Sequence, residues 1–149
     1  MEELKALYQA AIMDHSRNPR NAVKPDGVTH QSRGYNPLCG DQVTVYLAVE
    51  DEHIRAAGFD GKGCALCLAS SSMMTEALQG ATPAKLESLV EDLKQICRTA
   101  DAELQNPDEL VALLPLGAVR DYPVRTKCVT LPWQAALAAL AGDKEATTE

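Results

Sequence analysis

Residues 42–49 alternate strictly, with Val43, Val45, Leu47 and Val49 on one side and Gln42, Thr44 and Tyr46 on the other. Successive side chains of a strand point to opposite faces, so this run predicts a half-buried strand. Glu50-Asp51-Glu52-His53 makes a turn, and Ile54 to Phe59 returns as the partner strand. A lone hairpin is marginal in water, so its apolar face must be covered by other elements.

The cover is helical. Leu4, Leu7, Tyr8, Ala11 and Ile12 recur at helical spacing and predict a helix over 3–17, ended by Asn18-Pro19. Residues 18–41 read as a long connection with a short edge strand near 27–34. A second helix runs from about Cys64 to Leu78 and is closed by Gly80. Thr82-Pro83 opens a third, to about Thr99, and Asn106-Pro107 opens a short one to about Leu114. Leu116–Val124 reads as a loop. A final helix carries Leu131, Trp133, Leu137 and Leu140 and stops at Gly142. Pro132 must lie in its first turn, with Cys128 at or just before its start, or else mark a bend. The polar tail from about 143 reads as frayed. The expected fold class is α+β: a small antiparallel sheet of about three strands with helices on one face, in one domain over 1–149.

The chain has 149 residues, 46% of them hydrophobic and only 4% aromatic, so an aliphatic core without disulfide staples is within reach. Its formal charge of −7 and lack of a basic stripe argue against nucleic acid. The acidic amphipathic start is not a signal peptide, and no window is long and apolar enough for a membrane span. A cytoplasmic location is expected.

In that reducing compartment, five scattered cysteines argue against a disulfide framework. Cys39 sits in Asn36-Pro37-Leu38-Cys39-Gly40-Asp41, a tight turn where a thiolate and the Asp41 carboxylate could converge on a metal. Simple turn chemistry would explain the same residues. Cys64 follows Gly61-Lys62-Gly63 at a helix start, where the helix dipole favours thiolate and Lys62 adds to it. The alternative is a small residue filling a helix–sheet corner, which the glycine spacing disfavours without abolishing. Cys128 follows Arg125-Thr126-Lys127, two cations that again favour thiolate. Three thiolates and a carboxylate around a divalent ion leave a negative excess, which Arg125, Lys127 and Lys62 could offset. Spacing this wide is a weak metal signal by itself.

Cys64-Ala65-Leu66-Cys67 is a CxxC at a strand-to-helix junction, the setting of a thioredoxin-like pair. The surrounding βαβ pattern is missing, and core packing suits Cys67 better. Cys97 shares a helical stripe with Leu89, Leu93 and Ile96 and reads as core. His15, His30 and His53 have no evident metal partners.

Taken together, Ile12-Met13-Asp14-His15, Asn18-Pro19-Arg20-Asn21, Asn36-Pro37 with Cys39-Gly40-Asp41, Phe59 with Gly61 and Gly63-Cys64, Ala69-Ser70 with Met73-Met74-Thr75, and Arg125 with Lys127-Cys128 closely resemble the U-type iron–sulfur assembly proteins, the IscU/SufU family. The resemblance spans positions 12 to 128. It implies a three-stranded antiparallel sheet with helices on one side. It also implies that Cys39, Cys64 and Cys128 are the functional cysteines and Asp41 the fourth ligand.

Three departures from the IscU type look like SufU. Lys127 stands where those scaffolds place a histidine. Asp121-Tyr122-Pro123-Val124-Arg125 keeps only part of their Leu-Pro-Pro-Val-Lys motif, and the stretch from Cys64 to Cys128 is longer. The SufU resemblance implies a zinc-bound acceptor of persulfide sulfur, with Cys39 as the acceptor. Its partners would be a PLP-dependent, SufS-like cysteine desulfurase and downstream assembly or apo acceptor proteins. Two alternatives are a scaffold on which a transient [2Fe–2S] cluster is built from iron and sulfide, and a purely structural zinc module.

Overall fold

The structure is a computed structural model that describes residues 2–147. Helix α1 spans Glu2–Arg17 and is followed by strands β1 (His30–Asn36), β2 (Asp41–Glu50) and β3 (His53–Lys62). Helices α2 (Ala65–Leu78), α3 (Pro83–Ile96) and the short α4 (Pro107–Leu110) come next. Two 3-10 segments, Val111–Asp121 and Pro123–Arg125, lead into α5 (Thr126–Ala141), and β4 (Glu145–Thr147) ends the described chain.

The sheet order is β3-β2-β1-β4. β1–β2 and β2–β3 pair antiparallel, and β4 joins β1 in parallel. Val43, Val45 and Leu47 of β2 are buried, as their alternation requires, with Ile54, Ala57 and Phe59 of β3 beside them. A bulge between Ala48 and Val49 breaks the register near the turn. α2 and α5 cover this face, and α1 packs on α2. Trp133 of α5 is fully buried, and its indole N–H donates to Ser70 Oγ of α2 at 3.0 Å. Ser70 in turn donates to the Val129 carbonyl at 2.6 Å, so a hydroxyl ties the two helices together.

The class is α+β with helices on one sheet face, as the sequence predicts, but four points differ. The sheet has a fourth strand and is mixed: residues 145–147, expected to be frayed, pair with Arg33–Tyr35. The rest of the frayed tail, residues 148–149, lies outside the described residues. β1 is therefore an inner strand, not an edge. The stretch expected as a loop at 116–124 is largely 3-10 helix, with Leu116 and Val119 buried. Finally, α5 begins at Thr126, so Cys128 is already helical and Pro132 falls inside the helix. The N–H that Pro132 lacks is the one that would have reached the Cys128 carbonyl four residues back.

Candidate metal and sulfur site

Asn36 and Asp41 face each other as the last pair of the β1–β2 ladder, and Pro37-Leu38-Cys39-Gly40 forms the loop between them. Gly40 closes that loop at φ +70, where a side chain is disfavoured. Cys39 is thereby carried to the hairpin tip, half-buried, beside an exposed Leu38. Asp41, on the apolar-facing parity of β2, turns inward and is fully buried. One carboxylate oxygen accepts the backbone N–H of Cys64 at 2.9 Å, and the other accepts from Asn36 Nδ2 at 3.0 Å. A carboxylate can accept about four hydrogen bonds, so lone pairs remain.

Cys64 is the N-cap of α2, with extended backbone and no side-chain capping bond. Cys128 enters from the first turn of α5 and is fully buried. Its thiol lies 3.4 Å from Cys39 Sγ, and Asn36 Nδ2 lies 3.6 Å from it. Ligand atoms of Cys39, Asp41 and Cys128 all fall within 4.8 Å of one another. Cys64 stands just outside this group, yet its side chain hydrogen-bonds Cys128. Burial, then hydrogen bonds of the thiol with Asp41, Cys39 and Cys64, push the Cys128 pKa well above its ordinary value. A buried thiol such as Cys128 stays protonated unless a cation joins it.

The three expected cations part company. Arg125 reaches the thiols: charge on Cys64, then a hydrogen bond to Cys128, then charge on Cys39 hold its guanidinium more firmly protonated than usual. Lys127 is half-buried next to Cys128 and forms no ion pair among the described residues. Lys62 is placed on the other face of the sheet. It pairs with Gln42 on the outward parity of the sheet, facing away from Asp41 and Val43.

Two residues quoted above as motif positions have roles that only the structure gives. Asn36 is buried and links Asp41 to Cys128, a link that its place in the Asn36-Pro37 motif does not reveal. Gly63 is the second: a Cβ there would stand 2.5 Å from Asp41 Oδ1. Cys67 is buried one turn into α2, and burial, then the charges of Asp41 and Cys64, push its pKa far up. Cys97 is buried at the end of α3, with its pKa pushed up to about 11 by burial. Both behave as core residues.

A family model described as "NifU-like N terminal domain" matches residues 7–142. The "Iron-sulfur cluster assembly scaffold protein IscU" of Thermotoga maritima is 33% identical over 136 residues, which is 91% of this chain and 94% of that protein. The "Zinc-dependent sulfurtransferase SufU" of Bacillus subtilis is 34% identical over 136 residues, 89% of this chain and 88% of that one. Among solved structures, a putative iron–sulfur cluster assembly scaffold for the SUF system from Fervidobacterium islandicum matches with a TM-score of 0.79 at 29% identity, covering 87% of this chain and 93% of its own.

Proposed function

The chain belongs to the NifU-like N-terminal domain family, and on that footing we propose that it serves iron–sulfur cluster assembly as a zinc-held acceptor of persulfide sulfur. The observation that carries the reading is the convergence of Cys39, Asp41 and Cys128, from a hairpin and a helix far apart in sequence, at the N-terminus of α2. The SufU relative's name, zinc-dependent sulfurtransferase, describes the same chemistry in that protein.

The donor set suits zinc. Thiolates with one carboxylate are ordinary zinc ligands, and ligands of one ion stand no further apart than about twice a ~2.3 Å zinc–sulfur bond. The 4.8 Å grouping is close to that limit. Cys39, Asp41, Cys64 and Cys128 would hold the ion, which would keep thiols deprotonated without changing oxidation state.

The chain's own residues do the rest. The hairpin tip presents Cys39 to a persulfide-bearing partner, a PLP-dependent cysteine desulfurase. The Cys39 thiolate attacks the outer sulfur of the partner's persulfide; the S–S bond breaks, and the partner's cysteine leaves as thiolate. Arg125, exposed but in contact with Cys64 and Cys128, offsets the anionic charge. Asn36 and the N–H of Cys64 fix Asp41 while Cys39 moves.

The test is sulfur transfer from a desulfurase loaded with labelled cysteine. Label should appear on Cys39, and Cys39→Ala should lower uptake at least tenfold. Undiminished uptake by Cys39→Ala would sink the assignment. The scaffold reading, with a [2Fe–2S] cluster on the same residues, is supported by the name of the Thermotoga relative and by the affinity of thiolates for iron–sulfur clusters.

A further inference from the structure

Cys39 and Cys128 come from opposite sides of the site. Cys39 rides on a hairpin loop with one side toward solvent, whereas Cys128 is rooted in α5 and fully buried. Their sulfur atoms stand 3.4 Å apart. That is within the roughly 3–3.5 Å of a near-attack arrangement. Asn36 Nδ2, 3.6 Å from Cys128 Sγ, and the Arg125 guanidinium both act on that sulfur, so donors already surround the attacking atom. The other thiols are placed differently: Cys64 lies outside the tight group, and Cys67 and Cys97 are sealed in the core.

We infer that Cys128 is the resolving thiol for sulfur carried on Cys39, expelling it as sulfide while the two cysteines join in a disulfide. This rests on the reading of Cys39 as acceptor. The step takes the Cys39 persulfide and the Cys128 thiolate, as it would come off the metal, to a Cys39–Cys128 disulfide and hydrosulfide. Cys128 Sγ forms a bond to Cys39 Sγ, and the bond from Cys39 Sγ to the outer sulfur breaks. The departing sulfur takes the electron pair and leaves as hydrosulfide, and both cysteines stay off the ion they would hold until the disulfide is reduced. The outer sulfur gains two electrons and the two cysteines lose them, so release needs no external reductant. A thiol reductant, such as a cellular dithiol, then restores the pair for another cycle. Cys39 is only half-buried, which leaves room for an outer sulfur. Closure to the roughly 2.05 Å of a disulfide is then a small movement of the hairpin loop.

This function of Cys128 differs from holding a metal, and it can be read by mass. The purified protein, with the metal it carries, is treated anaerobically in thiol-free buffer with one equivalent of sulfane sulfur as inorganic polysulfide. Samples are alkylated at intervals and peptide-mapped by mass spectrometry, and free sulfide is assayed. Wild type should show sulfur on Cys39 first, then a Cys39–Cys128 disulfide, with an equal amount of sulfide released beyond that left by the polysulfide on loading. In Cys128→Ser the Cys39 persulfide should persist and sulfide release should slow at least tenfold, with Cys128→Ala as a second variant and Cys97→Ser unchanged from wild type. The wild-type time course decides the matter even if the Cys128 variants do not fold. A Cys39 persulfide that persists in wild type with no disulfide, or sulfur recovered as a persulfide on Cys128, would overturn the resolving role and leave the acceptor reading standing. No sulfur on Cys39 in any variant would overturn both.

Discussion

The Asp41 carboxylate accepts the backbone N–H of Cys64 at 2.9 Å, which joins the end of the β1–β2 hairpin to the start of α2. The bond is possible only because residue 63 has no side chain, since a Cβ there would press to 2.5 Å on the accepting oxygen. Gly63→Ala must push Asp41 or α2 aside. Overpacking of this kind costs about 1–3 kcal/mol. The expected result is a lower urea midpoint together with faster loss of zinc to a chelator. Unchanged zinc retention would show that the Asp41–Cys64 link is not part of the metal site.

Asp92 is a buried carboxylate on α3. It accepts the backbone N–H groups of Gln105 and Asn106, each at 2.8 Å, and Asn106 Nδ2 at 2.9 Å. It thus anchors α4 and the 3-10 run that delivers Arg125. Each buried donor left without a partner costs about 1–3 kcal/mol. Asp92→Ala should destabilise the fold by about 2–4 kcal/mol in urea unfolding, on the same scale. A loss under about 1 kcal/mol would mean that water replaces the carboxylate.

His15 on α1 gives a pH dependence. Arg20 N–H donates to Ser72 Oγ at 2.8 Å, which leaves the Ser72 hydroxyl proton for His15 Nδ1, 2.7 Å away. A neutral Nδ1 is needed there. Burial, then the charge of Arg20, lower the His15 pKa, against a smaller opposing pull from Glu76. The folded state therefore binds a proton less readily than the unfolded state. The associated stability is complete above about pH 6.5, the ordinary histidine value, and is lost as pH falls from there toward the lowered folded value. Thermal unfolding from pH 8 to 5 should show this decline in wild type and a weaker one in His15→Gln. Parallel curves would assign the decline to other groups.

Local signals in the sequence carry much of this structure. The alternation at 42–49 locates β2 and its buried face, and Thr82 caps α3 by accepting from Lys85 N–H as Thr-Pro foretells. Gly80 and Gly142 follow α2 and α5 with positive φ, as helix-terminating glycines do. What is not legible depends on tertiary partners. Glu145-Ala146-Thr147 has no strand pattern and becomes β4 only because β1 offers an unpaired edge beside the end of α5. The 3-10 run at 111–121 is set by burial of Leu113, Leu116 and Val119, whose spacing is not that of an α-helix. Lys62 is near Cys64 in sequence, which suggests a shared site. The strand parity that turns it away can be read only once its register with Gln42 is known. Asn36 is visible as a residue but not as a link between Asp41 and Cys128, which requires the hairpin and α5 to meet.

The most direct measurement is metal and acid-labile sulfide on protein purified anaerobically without added metal. A zinc-held acceptor should carry one zinc per chain, tightly retained, with no sulfide, and Cys128→Ser should yield that zinc to a chelator faster. Iron and sulfide in equal amounts with a visible absorption band would contradict the acceptor reading and establish the scaffold in its place.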